Sequence, residues 1–188
     1  MARTPSKEAH DKVLDAALRL IAERGVEGTS MDAIAAESGV SKATVYKHWV
    51  NRDALLIDVL RSHSDQLPEF NSESPREDMV RLIRHLSESR KREELGPVWH
   101  RIVGYAVSNP DFARAMRAFA FEPRRVQIER IIERAMEKGE LRAGIDTAFA
   151  MDLLVGPVMH RRFSEDAIPR DMPSRIVDYF WEVFKAER

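Results

Sequence analysis

The chain has 188 residues and no cysteine, and its 30 Lys and Arg nearly cancel 31 Asp and Glu, for a formal net charge of −1. That length can bury a real core in one large or two small domains. The missing cysteine excludes disulfides, cysteine-based metal sites and thiol nucleophiles, while near-neutrality argues against indiscriminate nucleic-acid binding and leaves a specific contact open.

Residues 1 to about 6 read as a flexible arm, in which Arg3 can reach a phosphate or the minor groove. The segment MARTPSKEAHDK lacks the apolar core of a signal peptide, and no apolar run is long enough to span a bilayer, so a cytoplasmic protein is expected. A first helix begins near Thr4–Pro5–Ser6, with proline in its first turn. Val13, Ala16, Ala17, Leu20 and Ile21 form its apolar stripe, and Gly25 ends it. Val26 and Gly28 shape the loop that follows.

The stretch from Thr29 to Arg52, TSMDAIAAESGVSKATVYKHWVNR, carries the densest pattern. Met31, Ile34, Ala35 and Ser38 recur at helical spacing. Thr29 or Ser30 can cap this helix, and Asp32 suits the positive end of its dipole. Gly39 follows the last helical residue, where a left-handed backbone is cheapest for glycine. Ser41 can cap a second short helix from Lys42 to about Trp49. Val45 and Trp49 lie one turn apart and face inward, while Ala43, Thr44, Tyr46 and Lys47 project from the other side. Two short helices, a glycine turn and a polar second helix describe a helix-turn-helix. The outward set suits DNA: Lys47 is a cation, Tyr46 and Thr44 are hydrogen-bonders, and Ala43 allows contact with a thymine methyl.

This stretch resembles the DNA-binding region of the TetR family of bacterial transcriptional regulators. The matching residues are Thr29, Ile34, Ala35, Gly39, Val40, Ser41, Thr44, Tyr46, Trp49, Arg52 and Leu55–Leu56, in order and at fixed spacing. Trp49 stands where phenylalanine is commoner and Arg52 where lysine is commoner, and both keep the chemistry. The resemblance, with the first helix, covers about the first third of the chain. It implies DNA contacts from Thr29, Ser41, Lys42, Ala43, Thr44, Tyr46, Lys47, His48 and Arg52. Arg52 would grip a phosphate in bidentate fashion.

A fourth helix from about Arg52 to Gln66 repeats Leu55, Leu56, Val59 and Leu60, and Pro68 stops it. PEFNSESPRED reads as a loop. A fifth helix follows with Met79, Val80, Ile83 and Leu86 inside, and RKREELGP is a charged, solvated exit. A sixth helix runs from about Pro97 to Ser108. Between Pro110 and Lys138 an internal Pro123 means one bent helix or two. Gly139 ends that segment. Helices from roughly Thr147 to Phe163 and Pro173 to Lys185 complete an all-α chain of about nine helices, with residues 1–51 as the DNA-binding domain and 52–188 as a helical regulatory domain.

AMEKGELRAGID and DLLVGPVMHRRF are similar to the C-terminal half of one TetR subgroup, although His160–Arg161–Arg162 is more polar than that pattern. The resemblance implies a ligand-binding and dimerisation domain there, a small apolar or amphipathic effector, a homodimer and a palindromic duplex operator. Candidate pocket residues are Trp99, His100, Tyr105, Met116, Phe119, Met159 and His160, with Phe121 as a further aromatic. Candidate dimer contacts are Ile176, Phe180, Val183 and Phe184, for which intramolecular core is the competing role. No compact histidine spacing, glycine-rich phosphate loop or nucleophile elbow is present, so no metal, cofactor or catalytic residue is expected. The family's usual role is that of a ligand-responsive repressor. A helical enzyme using its histidines and a helical interaction module are the rival readings.

Overall fold

Ten α-helices account for the regular structure of the described residues in the computed structural model. These are 7–63, 67–88, 90–164 and 167–186, with the side chains of 90–94 and 97 left aside. Arg3, the helix start expected at Thr4–Ser6 and the helix end expected at Gln66 lie outside them. The chain divides into two compact units.

The first unit contains α1 (Lys7–Arg24), α2 (Met31–Ser38), α3 (Lys42–His48), α4 (Arg52–Ser62), α6 (Arg90–Ser108) and α7 (Pro110–Ala120). The apolar stripe of α1 is buried as its spacing requires, from Val13 and Leu14 through Ile21. α1 packs against α2 and α4, and Met31, Ile34 and Ala35 of α2, Val45 of α3 and Leu55, Leu56, Val59 and Leu60 of α4 are buried in the same unit. Gly28 lies in the α1–α2 loop, where a Cβ would come within 2.5 Å of the Arg24 carbonyl oxygen, so this turn has no room for a side chain. The charged run expected as an irregular exit is helical as well. It forms the start of α6, which breaks locally at Gly96, with φ of 36°.

The second unit holds α5 (Pro75–Ser87), α8 (Glu122–Glu137), α9 (Thr147–Phe163) and α10 (Met172–Phe184). Met79, Leu82, Ile83 and Leu86 of α5 pack with Ile128, Ile131 and Ile132 of α8, Leu154 and Val158 of α9, and Val177, Phe180 and Phe184 of α10. Pro123 sits in the first turn of α8, where its missing N–H forfeits no helical bond. The open question of one bent helix or two between Pro110 and Lys138 therefore resolves as two, which raises nine to ten. Pro157, by contrast, lies inside a continuous α9.

Polar groups lock this second core. Asp78 is fully buried, accepting from the Ser72 backbone N–H at 2.8 Å, the Ser72 hydroxyl at 2.7 Å and Arg134 at 2.9 Å, with Arg81 also bound. Arg134 reaches on to the Phe70 carbonyl at 2.8 Å, so the 67–74 loop is tied to α5 and α8. Within the polar His160–Arg161–Arg162 run, Arg162 has a structural role. Arg162 donates to the Leu86 and Ser87 carbonyls, both at 3.0 Å, at the C-terminal end of α5. Those carbonyls have no partner within their own helix. No helix among the described residues is long and apolar enough to cross a membrane.

Candidate nucleic-acid interface

Three side-chain caps and one glycine set the geometry of α2, α3 and the start of α4. Ser30 caps α2 by accepting from the Ala33 N–H at 3.1 Å. Gly39 takes the left-handed conformation at its other end, with φ of 67°. Ser41 caps α3 by accepting from the Thr44 N–H at 3.2 Å, and Asn51 caps α4 by accepting from Ala54 at 2.9 Å. Each cap satisfies a backbone donor that the helix itself cannot. The two helices of the pair are therefore short, sharply bounded and fixed in register.

The face of α3 away from the core carries Lys42, Ala43, Tyr46, Lys47 and His48, all exposed. Ser41 is exposed and Thr44 half-buried, and their hydroxyls lie 2.8 Å apart. Tyr46 is 48% exposed, unusual for an aromatic residue beside a packed core. Ala43, Thr44, Tyr46 and Lys47 are the outward set read from the sequence, Ser41, Lys42 and His48 are the further contacts that the family resemblance implies, and none of the seven is buried. The arrangement offers two ammonium groups, a phenol, hydroxyls and an imidazole on a helix narrow enough to enter a major groove.

Asp32, in the first turn of α2, faces this set. Its Oδ2 accepts from Lys42 Nζ at 2.6 Å, and its Oδ1 accepts from the Tyr46 hydroxyl at 3.4 Å. The Lys42 ammonium holds the Asp32 carboxyl below the usual carboxylate range, and Asp32 in turn holds Lys42 above its ordinary value. Sequence reasoning gave Asp32 a dipole role only, because a contact between two helices leaves no trace in the periodicity of either.

Thr29 and Arg52 are placed differently from the outward set. Thr29 is buried, and its hydroxyl donates to the Gly25 carbonyl at 2.8 Å. The Arg52 guanidinium turns inward. It donates to the Val26 carbonyl at 2.8 Å, the Thr29 carbonyl at 3.3 Å and the Tyr105 hydroxyl at 3.1 Å. Both side chains hold the α1–α2 loop in shape beneath the surface.

Trp49 closes the core end of α3. It is 6% exposed, and its indole N–H donates to Asp58 of α4 at 3.0 Å. His10 of α1 bonds the same Asp58 oxygen at 2.9 Å, and its ring lies 5.2 Å from that of Trp49. The acceptor at Asp58 explains why a tryptophan fits here: its N–H has a partner.

The candidate pocket residues fall in both units. Trp99, His100 and Tyr105 belong to α6, Met116 and Phe119 to α7, and Met159 and His160 to α9. Trp99, Tyr105 and Met116 are buried, His100, Phe119 and Met159 half-buried, and His160 exposed. Tyr105 is held within its unit by Arg52, Asp53 and an edge contact with Phe112 at 5.2 Å, and Phe119 lies under the Arg61 guanidinium. Of the candidate dimer contacts, Phe180 and Phe184 belong to the core of the second unit, Ile176 packs at its edge and Val183 is exposed. Phe149, Leu153, Phe163 and Tyr179 are also exposed, and the sequence reading did not single them out.

Two family models match successive parts of the sequence. Residues 13–59 match the family model of bacterial regulatory proteins of the tetR family, and residues 71–180 that of the tetracyclin repressor-like C-terminal domain. The chain is 33% identical over 160 residues to the uncharacterized HTH-type transcriptional regulator YdeS of Bacillus subtilis, covering 85% of this chain and 80% of that one. It is 24% identical over 169 residues to the DNA-binding transcriptional repressor TetR of Mycobacteroides abscessus, covering 88% of each. Among solved structures, the flavonoid-responsive regulator FrrA matches with a TM-score of 0.73 at 23% identity, over 97% of this chain and 100% of that one. At that identity the likeness concerns the fold.

Proposed function

The chain belongs to the TetR family of bacterial transcriptional regulators, and from that premise we propose that it is an effector-controlled repressor whose paired α3 helices read a near-palindromic operator. It is a DNA-binding transcriptional regulator, and family membership sets aside the helical-enzyme reading. Regulators of this family bind DNA and usually act as dimers. The functional division proposed here is 1–51 for DNA binding and 52–188 for effector binding and dimerisation, acting in the cytoplasm.

The observation that carries the reading is the exposed polar face of α3 set on a rigid, capped scaffold. One head contacts few base pairs and so has limited affinity and specificity. A two-fold dimer places two α3 helices in successive major grooves, roughly 34–36 Å apart. Support for the second copy comes from α9 and α10. Phe149, Leu153 and Phe163 on one, and Tyr179 and Val183 on the other, leave large apolar surface in water. Burying it against a second copy gives a four-helix bundle.

A small apolar or amphipathic effector bound in the C-terminal domain shifts α4 and changes the spacing of the two heads. DNA then weakens effector binding by the same factor, a coupling of roughly 1–3 kcal/mol. The test is selection of sites from a random pool of duplex DNA with the purified protein. Enrichment of a palindrome with half-sites about one turn apart is expected. A pool that stays random at low salt removes the DNA-reading role of α3.

A further inference from the structure

Both oxygens of the Asp32 carboxylate are engaged by groups that a DNA phosphate would also use. Lys42 Nζ and the Tyr46 hydroxyl belong to the outward face of α3, one helical turn apart, and both converge on this one residue of α2. The side chains of Asp32 and Lys42 are 52% and 63% exposed, so their pairing lies on the surface and outside the core. An exposed pair of this kind contributes little to folding. Its consequence lies in what Lys42 and Tyr46 can do when a duplex arrives.

We propose that Asp32 is an affinity-setting residue, an internal competitor that occupies Lys42 and Tyr46 in the free protein and must be displaced or shared when DNA binds. A carboxylate and a phosphate diester offer the same chemistry, anionic oxygens that accept from an ammonium and a phenol. The Tyr46 hydroxyl has one proton and cannot donate to both. Lys42 paired with Asp32 is a unit of zero net charge, which releases fewer counterions from DNA than a free ammonium does. Once displaced, the carboxylate remains beside the backbone and repels it. Asp32 therefore lowers affinity for every sequence and flattens the salt dependence.

The inference rests on the reading that the outward face of α3 meets DNA. The experiment measures anisotropy of a labelled duplex of arbitrary, non-palindromic sequence across a series of KCl concentrations, with the full chain. Asp32→Asn is expected to tighten binding by about two- to fivefold at low salt. The slope of log affinity against log salt should steepen by about 0.9 per head. Both effects should shrink in the Lys42→Ala background, to what the hold on Tyr46 and the repulsion of the backbone leave. Circular dichroism shows whether each variant is folded. Unchanged or weaker binding by a folded Asp32→Asn overturns the proposal, as does a gain that is undiminished without Lys42. Lys47→Ala separates the two failures. If it weakens binding while Asp32→Asn does nothing, only the competitor role is lost; if neither matters, the DNA-facing reading of α3 falls with it.

Discussion

The guanidinium of Arg52 lies 3.1 Å from the Tyr105 hydroxyl and 5.0 Å from the centre of its ring, while that hydroxyl donates to Asp53 at 2.9 Å. Tyr105 thus joins α6 to the first turn of α4, and Arg52 carries the connection into the Val26 and Thr29 carbonyls at the entrance to α2. Arg52→Ala removes a charged donor from three acceptors at once. A loss of about 2–3 kcal/mol in unfolding free energy is expected. The salt slope of DNA binding should stay unchanged, since the guanidinium is spent internally. Denaturant titration and salt-dependent binding on the same variant check both halves, and a slope reduced by about one unit would restore Arg52 as a phosphate contact.

Trp49 reports on the other end of α3. Trp49→Ala leaves a cavity beside His10, Val13 and Asp58, and should destabilise the protein by about 3–5 kcal/mol. Trp49→Phe refills most of the volume but strands Asp58 with one donor fewer. It should cost about 1–2 kcal/mol. Thermal melts of the two variants distinguish packing from the indole hydrogen bond, since equal losses would mean that the N–H to Asp58 carries everything.

Much of this head was legible in the sequence because its determinants are local. Caps at Ser30, Ser41 and Asn51, the left-handed Gly39 and the inward Val45 and Trp49 each follow from a residue type and its spacing within a few positions. Arg52 turns inward to a partner far along the chain, Tyr105, whereas the Thr29 hydroxyl reaches the nearby Gly25 carbonyl only through the backbone geometry of the α1–α2 loop. The same limit applies in α10. Periodicity places Phe180 and Val183 on that helix, but only packing against α5 and α9 decides that Phe180 is core and Val183 is surface. Pro123 left one helix or two undecided, because a proline in the first turn and a proline at a kink read alike.

Acid sensitivity should centre on Asp78. Burial alone would push its carboxyl up, but hydrogen bonds from Ser72, Arg81, Arg134 and the Ser72 backbone outweigh that and hold it below the usual range. The unfolded chain, with an ordinary aspartate pKa of about 3.9, therefore takes up the proton more readily than the folded one. The stabilisation is complete above that unfolded value and is lost as pH falls through the lower folded value. Asp78→Asn should cost about 3–5 kcal/mol at neutral pH, by leaving the Arg134 charge without its anion. It should also flatten the acid limb of a stability–pH curve. A parallel curve for the variant would assign the acid limb to other carboxylates.

Lys47 and Tyr46 test the reading surface itself. Lys47 is exposed in the last turn of α3 and has no ion-pair partner among the described residues. Lys47→Ala should weaken DNA binding. A phosphate contact lowers affinity for all sequences alike and reduces the salt slope by about 0.9, whereas a base contact changes preference at one position. Tyr46→Ala should weaken binding with an unchanged melt, because its ring is half exposed. Loss of stability in that variant would instead give the phenol a structural role.

On α10, Val183 and Phe180 should respond in opposite ways. Val183 is 70% exposed and Phe180 4%, although both lie on the same short helix. Val183→Asp places a charge on the apolar face assigned to the second copy and leaves the monomer core untouched. It should shift the sedimentation profile toward monomer, keep the helical circular dichroism spectrum and lower operator affinity, because two heads no longer bind as one unit. Phe180→Ala removes a ring that packs 4.7 Å from Phe184 and should cost about 3–5 kcal/mol of fold stability. A Val183→Asp protein that stays dimeric at low micromolar concentration would move the interface off this face of α10. The exposed residues of α9, Phe149, Leu153 and Phe163, would then be the next to carry a charge.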